Sequence, residues 1–164
     1  MLKHHHSFGR ESITAGLIGA SVVALWFLIL DAVNGQPLST PSILGQVIIF
    51  GQQAPVAYPP VWPAVAAYTA LHIAGFLLVG AVLTKLFFLA DRHNIARFAL
   101  LVFFLAFELF FYGVITAFFH GTQGYFPFWA VLVANTLAAG AMGYYLFRIH
   151  PAFRRGLARE PLGS

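Results

Sequence analysis

The chain alternates between long apolar segments and shorter connections that are polar or rich in turn-forming residues. Each apolar segment approaches the roughly 20 residues that an α-helix needs to cross about 30 Å of hydrocarbon at about 1.5 Å per residue. This pattern predicts an all-α polytopic membrane protein, built as a bundle of four transmembrane helices. The predicted spans are residues 13–30, 64–89, 98–119 and 129–147.

The spans define a single transmembrane domain from residue 13 to residue 151, with a tail on each side. The N-terminal tail comprises residues 1–12, and the C-terminal tail, residues 152–164, is basic. Basic residues precede the first span, as they do in a signal peptide, but no cleavage pattern of small residues follows it. We therefore expect this span to remain as a helix of the bundle.

The connection between the first and second spans contains a short apolar stretch between two turn-rich ones. Thr40 is a suitable N-cap and Pro41 a suitable first helical residue, which predicts a short helix over residues 41–50. At about 1.5 Å per residue this helix is too short to cross a bilayer. We expect an interfacial or re-entrant helix here, with an irregular loop as the alternative.

Composition supports the membrane assignment and excludes several kinds of chemistry. Hydrophobic residues make up 60% of the chain and charged residues only 9%, whereas a soluble domain carries about 25% charged residues. Cysteine is absent, which excludes disulfides, thiolate metal sites and cysteine nucleophiles. The sequence contains no phosphate-binding loop, dinucleotide fingerprint, nucleophile elbow or zinc-protease motif. It therefore does not predict an enzyme.

The basic residues all fall on one side of the predicted membrane. They lie in the two tails, in the connection between the second and third spans, or at the adjoining span ends, and the other two connections contain none. By the positive-inside rule both termini are cytoplasmic, in a multi-pass protein of the bacterial inner (plasma) membrane. The net charge of +4 then reflects topology rather than nucleic-acid binding. The nine residues are Lys3, Arg10, Lys85, Arg92, Arg97, Arg148, Arg154, Arg155 and Arg159.

Two spans carry small residues at close to four-residue spacing, the pattern that lets helices approach each other closely in lipid. The third span is instead rich in Phe and Leu, and we expect its bulk to fill the space beside the thin first and fourth helices. The predicted packing residues are Gly16, Ala20 and Ala24 in the first span, and Ala134, Ala138 and Gly143 in the fourth.

Glu108 lies near the middle of the third span, where even mild insertion scales assign an acidic residue a cost of about 3 kcal/mol. It should therefore face the interior of the bundle. Tyr112, Thr116 and His120 follow it at four-residue steps, which places the four side chains on one slowly rotating stripe. The stripe climbs about 18 Å, from mid-membrane to the outer surface.

Helical rise aligns polar residues of the other spans with this stripe, because His72 and Asn135 lie at depths similar to that of Tyr112. We expect these three residues and Glu108 to form an intramembrane polar site in the outer half of the bundle. Four further residues are predicted at its outer mouth, namely Asp31, Tyr68, Thr116 and His120.

Three roles for this polar site stay open. It can be a structural network that fixes helix register, a proton-accepting or cation-binding site that opens outward, or a surface on which Glu108 meets a partner subunit. Bound metal and haem are not expected, because His72 and His120 differ in depth by roughly 12 Å of helical rise. The sequence therefore predicts no cofactor.

These features favour a small non-enzymatic accessory or scaffold subunit of a membrane complex. The alternative is a small transporter or proton-coupled carrier that uses Glu108 with His72 in an outward-facing polar pocket, and a third hypothesis is an enzyme acting on a lipid or quinone. The expected partners are the lipid bilayer and other membrane subunits or further copies of the chain, and not nucleic acid. The overall pattern resembles that of small four-span bacterial inner-membrane proteins, a resemblance that assigns no role to any residue.

Overall fold

The computed structural model describes residues 7–90, 95–118 and 127–151, and in these ranges the chain is helical and contains no strand. The predicted all-helical class is confirmed for this part of the chain. The helices are α1 (Phe8–Val33), α2 (Ser39–Leu44), α3 (Trp62–Ala90), α4 (Ile95–Phe118) and α5 (Phe128–Ile149), and α2 continues into a π-helical turn (Gly45–Ile49).

Three of these helices, α1, α3 and α5, are long and apolar enough to cross a membrane. They contain 26, 29 and 22 residues, which corresponds to about 33 to 43 Å of helix. The fourth long helix, α4, has 24 residues, with a shorter apolar stretch at Phe98–Phe110. Helix α1 begins before its apolar segment because the backbone hydrogen-bond ladder continues through polar residues such as Arg10 and Glu11.

Helix α1 runs antiparallel to both α3 and α5. At the start of α1, the ring of Phe8 lies 6.2 Å from that of Phe88 near the end of α3. At the same end of the bundle, a carboxylate oxygen of Glu11 lies 3.1 Å from the Nε2 of His150, which directly follows α5. The start of α1 and the ends of α3 and α5 therefore meet at one end of the molecule.

Helices α1 and α3 make the most extensive contact in the bundle, and glycines let their backbones approach closely. A Cβ added to Gly16 would lie 2.6 Å from the carbonyl oxygen of Phe76, and a Cβ added to Gly80 would lie 2.5 Å from that of Ser12. Both distances are shorter than van der Waals contact. Only residues without a side chain let the two backbones approach this closely, as small-residue seams do in other membrane helices.

Helix α5 packs against α1 through its small residues. Ala134 and Ala138 are completely buried and belong to one core cluster with Met142. Near the opposite end of the contact, the indole N–H of Trp26 donates a hydrogen bond to the carbonyl oxygen of Ala130 over 3.0 Å. Helices α1, α3 and α5 thus form a three-helix core.

Among the described residues, α4 packs mainly against α3 and less extensively against α5. Of its described side chains only Phe107 is buried, and its ring stands 6.4 Å from that of Phe76, nearly edge-on. The sequence led us to expect α4 beside the first and fourth spans. It does contact α5, the predicted fourth span, but its principal neighbour is α3 and not α1, because α3 and α5 already cover the small residues of α1.

The short helix α2 begins at Ser39, two residues before the predicted start. The Asp31 carboxylate accepts a hydrogen bond from the Thr40 backbone N–H over 2.8 Å and another from the Thr40 hydroxyl over 2.7 Å. Thr40 is therefore inside the helix and is not its N-cap. The Asp31 carboxylate near the end of α1 instead accepts from a backbone N–H of the first helical turn that has no partner within α2.

Two buried side chains hold the loop that returns from α2 to α3. The Gln46 amide donates to the carbonyl oxygen of Val56 and accepts from its N–H, each over 2.9 Å. The Ser42 hydroxyl accepts from the Val61 N–H over 2.9 Å. Because buried backbone groups need partners, these bonds let the first connection pack as an ordered element against α1 and α3.

Candidate functional site

Glu108 on α4 reaches the polar residues of α5. The Asn135 side-chain amide donates to the Oε2 of Glu108 over 3.3 Å, and the Thr136 side chain hydrogen-bonds to the same carboxylate. Asn135 is 3% exposed and Glu108 is half-buried. The carboxylate therefore makes its polar contacts with a neighbouring helix.

The second carboxylate oxygen of Glu108, Oε1, is buried and has no hydrogen-bond partner among the described residues. A buried acceptor without a donor costs about 1–3 kcal/mol. This oxygen can accept a hydrogen bond from a further group without any rearrangement of Asn135.

His72 does not join Glu108, although the sequence led us to expect that they would meet. Its Nε2 lies 3.1 Å from the carbonyl oxygen of Ala20 on α1, a contact that requires the proton to be on this nitrogen. On its own helix, the ring centroid of His72 lies 5.8 Å from that of Tyr68 and 4.8 Å from that of Phe76. The polar face of α3 is directed at α1, and α4 packs elsewhere on α3.

A cavity of about 190 Å³ lies between α1, α3 and the start of α2, and His72 lines it. Two residues predicted at the outer mouth, Asp31 and Tyr68, line the same cavity. The predicted polar site is therefore divided between two places, because Glu108 and Asn135 do not border this cavity. Its polar lining consists of Asp31, Thr40, Tyr68, Thr69 and His72.

A larger cavity, of about 390 Å³, lies between α3, α4 and α5. Its walls are mostly Phe, Leu and small residues, and Thr136 is the polar member of its lining. Gly140 and Gly143 leave open space there, since no described neighbour lies within 4 Å of a Cβ added to either. The bonded Glu108 and Asn135 thus stand at one end of an apolar cavity.

Several predicted residues lie elsewhere. The side chains of Tyr112 and Thr116, and the whole of His120, are outside the described residues. Among the residues that are described, no group of three His, Asp or Glu side chains is placed to hold a metal ion. Of the predicted packing residues, Gly16, Ala20, Ala134 and Ala138 lie in helix contacts, whereas Ala24 and Gly143 border the smaller and the larger cavity respectively.

The buried pair of Glu11 and His150 was not predicted from the sequence. His150 is 1% exposed and Glu11 is 7% exposed, and the rings of Phe87 and Phe88 lie 5.9 and 5.0 Å from the imidazole. A signal was available, because the predicted topology brings the start of the first span and the end of the fourth to the same side. An acidic residue and a histidine at those two ends are natural partners.

The geometry therefore provides polar links between helices and two separate cavities. The Glu108–Asn135 contact links α4 to α5, and the His72–Ala20 contact links α3 to α1. Both cavities have largely apolar walls, although the smaller one has more polar residues around it. Comparison of the chain with family models, with curated proteins and with solved structures finds no match.

Proposed function

We propose that the protein is a small non-enzymatic accessory or scaffold subunit of a membrane complex. The observation that carries this proposal is the way its intramembrane polar side chains are used. Glu108, Asn135 and His72 all make their contacts with a neighbouring helix of the same chain. Polar groups arranged in this way add specificity to a bundle, and they favour a structural role over a reaction centre.

In this proposal α4 also crosses the membrane, in addition to α1, α3 and α5. Its 24 residues correspond to about 36 Å of helix, which exceeds the roughly 30 Å of a hydrocarbon core. Arg10, Lys85 and Arg148 then lie toward one end of the bundle, and the positive-inside rule assigns that end to the cytoplasm of a bacterial cell. The short helix α2 lies at the outer surface of the inner membrane and does not cross it.

The outward face of α4 is the surface we assign to a partner. Phe98, Val102, Leu105 and Leu109 are 61, 47, 53 and 70% exposed. They follow one another at steps of four, three and four residues, the spacing of a seam on which a second helix packs. Because α4 uses few of its described side chains within the chain, this seam remains available to another membrane helix.

Site-specific photocrosslinking in native membranes tests the assignment. A photoreactive residue replaces Leu105 on the seam, and a matched control carries it at Leu78 on α3, which is 68% exposed. We expect a protein adduct from position 105, formed with another subunit or a second copy of the chain, and none from position 78. The double variant L105A/L109A should lose co-purification of that partner.

Equal protein adducts from the two positions, or only lipid adducts from position 105, would contradict this assignment. The stability of the double variant is measured in parallel, because a loss of fold would also remove the partner. A folded double variant that still retains its partner would also overturn the proposed seam.

A proton-coupled carrier is the second candidate, and the smaller cavity favours it. His72, Tyr68 and Asp31 line one space that reaches from the end of α1 into the bundle. Glu108 lies outside that space, so the carrier would use His72 as its titrating group and Glu108 in a separate step. Reconstituted vesicles test this, because a carrier loses proton-linked flux in the H72Q or E108Q variant. An accessory subunit shows no such flux in any form.

A further inference from the structure

The larger cavity continues along one face of α5 toward a positive charge. Thr136, Gly140, Tyr144 and Arg148 follow at four-residue steps and therefore lie along one row. The first two line the cavity, and the exposed Tyr144 and Arg148 extend the row to the end of the bundle. The Arg148 guanidinium carbon lies 5.8 Å from the centre of the Tyr144 ring. The guanidinium is thus held over the Tyr144 ring, one helical turn nearer to the cavity than the backbone of Arg148.

The dimensions of the cavity suit an extended chain. Its lining runs from Leu100 to Phe107 on α4 and from Thr136 to Gly143 on α5. Each stretch corresponds to about 10 Å of helix, which is roughly two thirds of the 15 Å or so that one leaflet contributes to the hydrocarbon core. The space therefore runs along the helices for less than the depth of one leaflet, and Arg148 lies beyond it, toward the end of the bundle.

We propose that this cavity binds an anionic phospholipid, with one acyl chain between α3, α4 and α5 and the phosphate at Arg148. The apolar lining matches the hydrocarbon chain. The guanidinium forms paired hydrogen bonds with phosphate oxygens more readily than an ammonium group does. This site does not depend on the accessory role, since it needs only the bundle and the surrounding bilayer.

Lipid titration of the purified full-length protein, followed by native mass spectrometry, tests the site. Phosphatidylglycerol is compared with phosphatidylcholine of the same acyl chains, in a neutral detergent. We expect the wild-type protein to retain phosphatidylglycerol preferentially. Because one basic residue near the surface contributes a factor of about five to the binding of an anionic lipid, the R148Q variant should lose about fivefold of this preference. The matched control, R10Q, removes an exposed charge at the same end of the bundle and should keep it.

A second pair of variants tests the chain-binding part of the site. G143L places a side chain in the open space of the cavity, whereas G75L adds the same side chain at an exposed glycine of α3 that also has no neighbour within 4 Å and does not line the cavity. We expect G143L to reduce retention of both lipids at least fivefold and G75L to change neither. G140L serves in place of G143L if the latter does not fold.

Two results would overturn the proposal. One is an unchanged lipid preference in R148Q together with unchanged retention in a folded G143L or G140L variant. The other is loss of a co-purifying polypeptide in G143L while lipid retention stays at the wild-type level, which would assign the cavity to a partner helix. Neither result bears on the seam of α4, because the Leu105 crosslink is measured independently.

Discussion

The contact between α1 and α3 and the attachment of α4 represent two ways of joining helices. In the first, Gly16 and Gly80 bring two backbones together, and any added side chain would collide with main-chain atoms. In the second, α4 buries only Phe107 among its described side chains, and Glu108 adds polar contacts to Asn135 and Thr136 of α5. Lipid offers no hydrophobic gain for association. The α1–α3 contact is therefore strong because its backbones pack closely. The attachment of α4 has little close packing.

The difference teaches where this fold should tolerate change. A backbone contact cannot adjust, because the atoms that would have to move belong to the helix itself. A contact made by side chains beside an open cavity can adjust by changing rotamers. We therefore expect α1, α3 and α5 to behave as a rigid core, with α4 as its most independent element.

The largest effect is expected from G16L, which breaks the tight contact. The new side chain would meet the backbone of Phe76 and Leu77, so the two helices must separate. Overpacking of this kind costs about 3 kcal/mol. Thermal unfolding in detergent should show a large loss of stability, whereas the G75L control at an open glycine should unfold close to the wild-type temperature. Equal losses in the two variants would mean that the close contact is not what stabilises the core.

A smaller effect is expected from N135A, which breaks the polar attachment of α4. The Oε2 of Glu108 would lose its amide donor, and interhelical hydrogen bonds in membranes contribute at most about 1.7 kcal/mol. We expect a loss near that upper value, because the carboxylate stays partly buried without its amide partner. A double-mutant cycle with E108Q measures the coupling between the two side chains. A coupling energy of zero would show that the contact does not hold α4.

A still smaller effect is expected from W26F, which removes a polar link between α1 and α5. The substitution keeps an aromatic ring but removes the indole N–H that donates to the Ala130 carbonyl. That carbonyl lies in the first turns of α5, where the helix ladder supplies another donor, so the loss should be about 0.6 kcal/mol. Equilibrium unfolding of W26F beside N135A checks this order, and a reversal would place the weaker polar link at α4.

The smallest effect is expected from L105A on the outward face of α4. Because this side chain is 53% exposed, its removal should change stability by less than about 0.5 kcal/mol. Unfolding of the purified monomer checks the value. The same substitution should still weaken the proposed partner contact, and this separates a docking residue from a core residue.

Much of the core was predictable because membrane helices have simple rules. The lengths of the apolar segments gave the long helices, and the rows containing Gly16, Ala134 and Ala138 identified contact faces. Gly80 was not identified as a contact residue, because α3 is apolar on all sides and its two glycines are five residues apart. Which glycine meets a neighbour depends on the rotation of the helix, and a uniformly apolar sequence does not fix that rotation.

The candidate site was predictable only in part, for a related reason. Helical rise aligns Asn135 with Tyr112, one helical turn from Glu108, and in the structure Asn135 bonds to Glu108. Depth does not say which helices are adjacent, so His72 was matched to Glu108, although its neighbour is Ala20 on α1. The hydrogen bonds from Thr40 to the Asp31 carboxylate were also not predicted, because the Thr40–Pro41 sequence is typical of a helix that is capped locally.

Distance measurements can test directly whether α4 moves more than the core formed by α1, α3 and α5. The chain has no cysteine, so pairs of spin labels can be attached to introduced cysteines without other changes. One pair joins α1 to α3 at positions 25 and 71, and the other joins α1 to α4 at positions 25 and 105; all three native leucines are exposed. Double electron–electron resonance in lipid nanodiscs then gives the two distance distributions.

We expect a narrow distribution between α1 and α3 and a broad one between α1 and α4. The N135A substitution should broaden the second distribution further and leave the first unchanged. Two distributions of equal width, both unaffected by N135A, would show instead that α4 belongs to the rigid core.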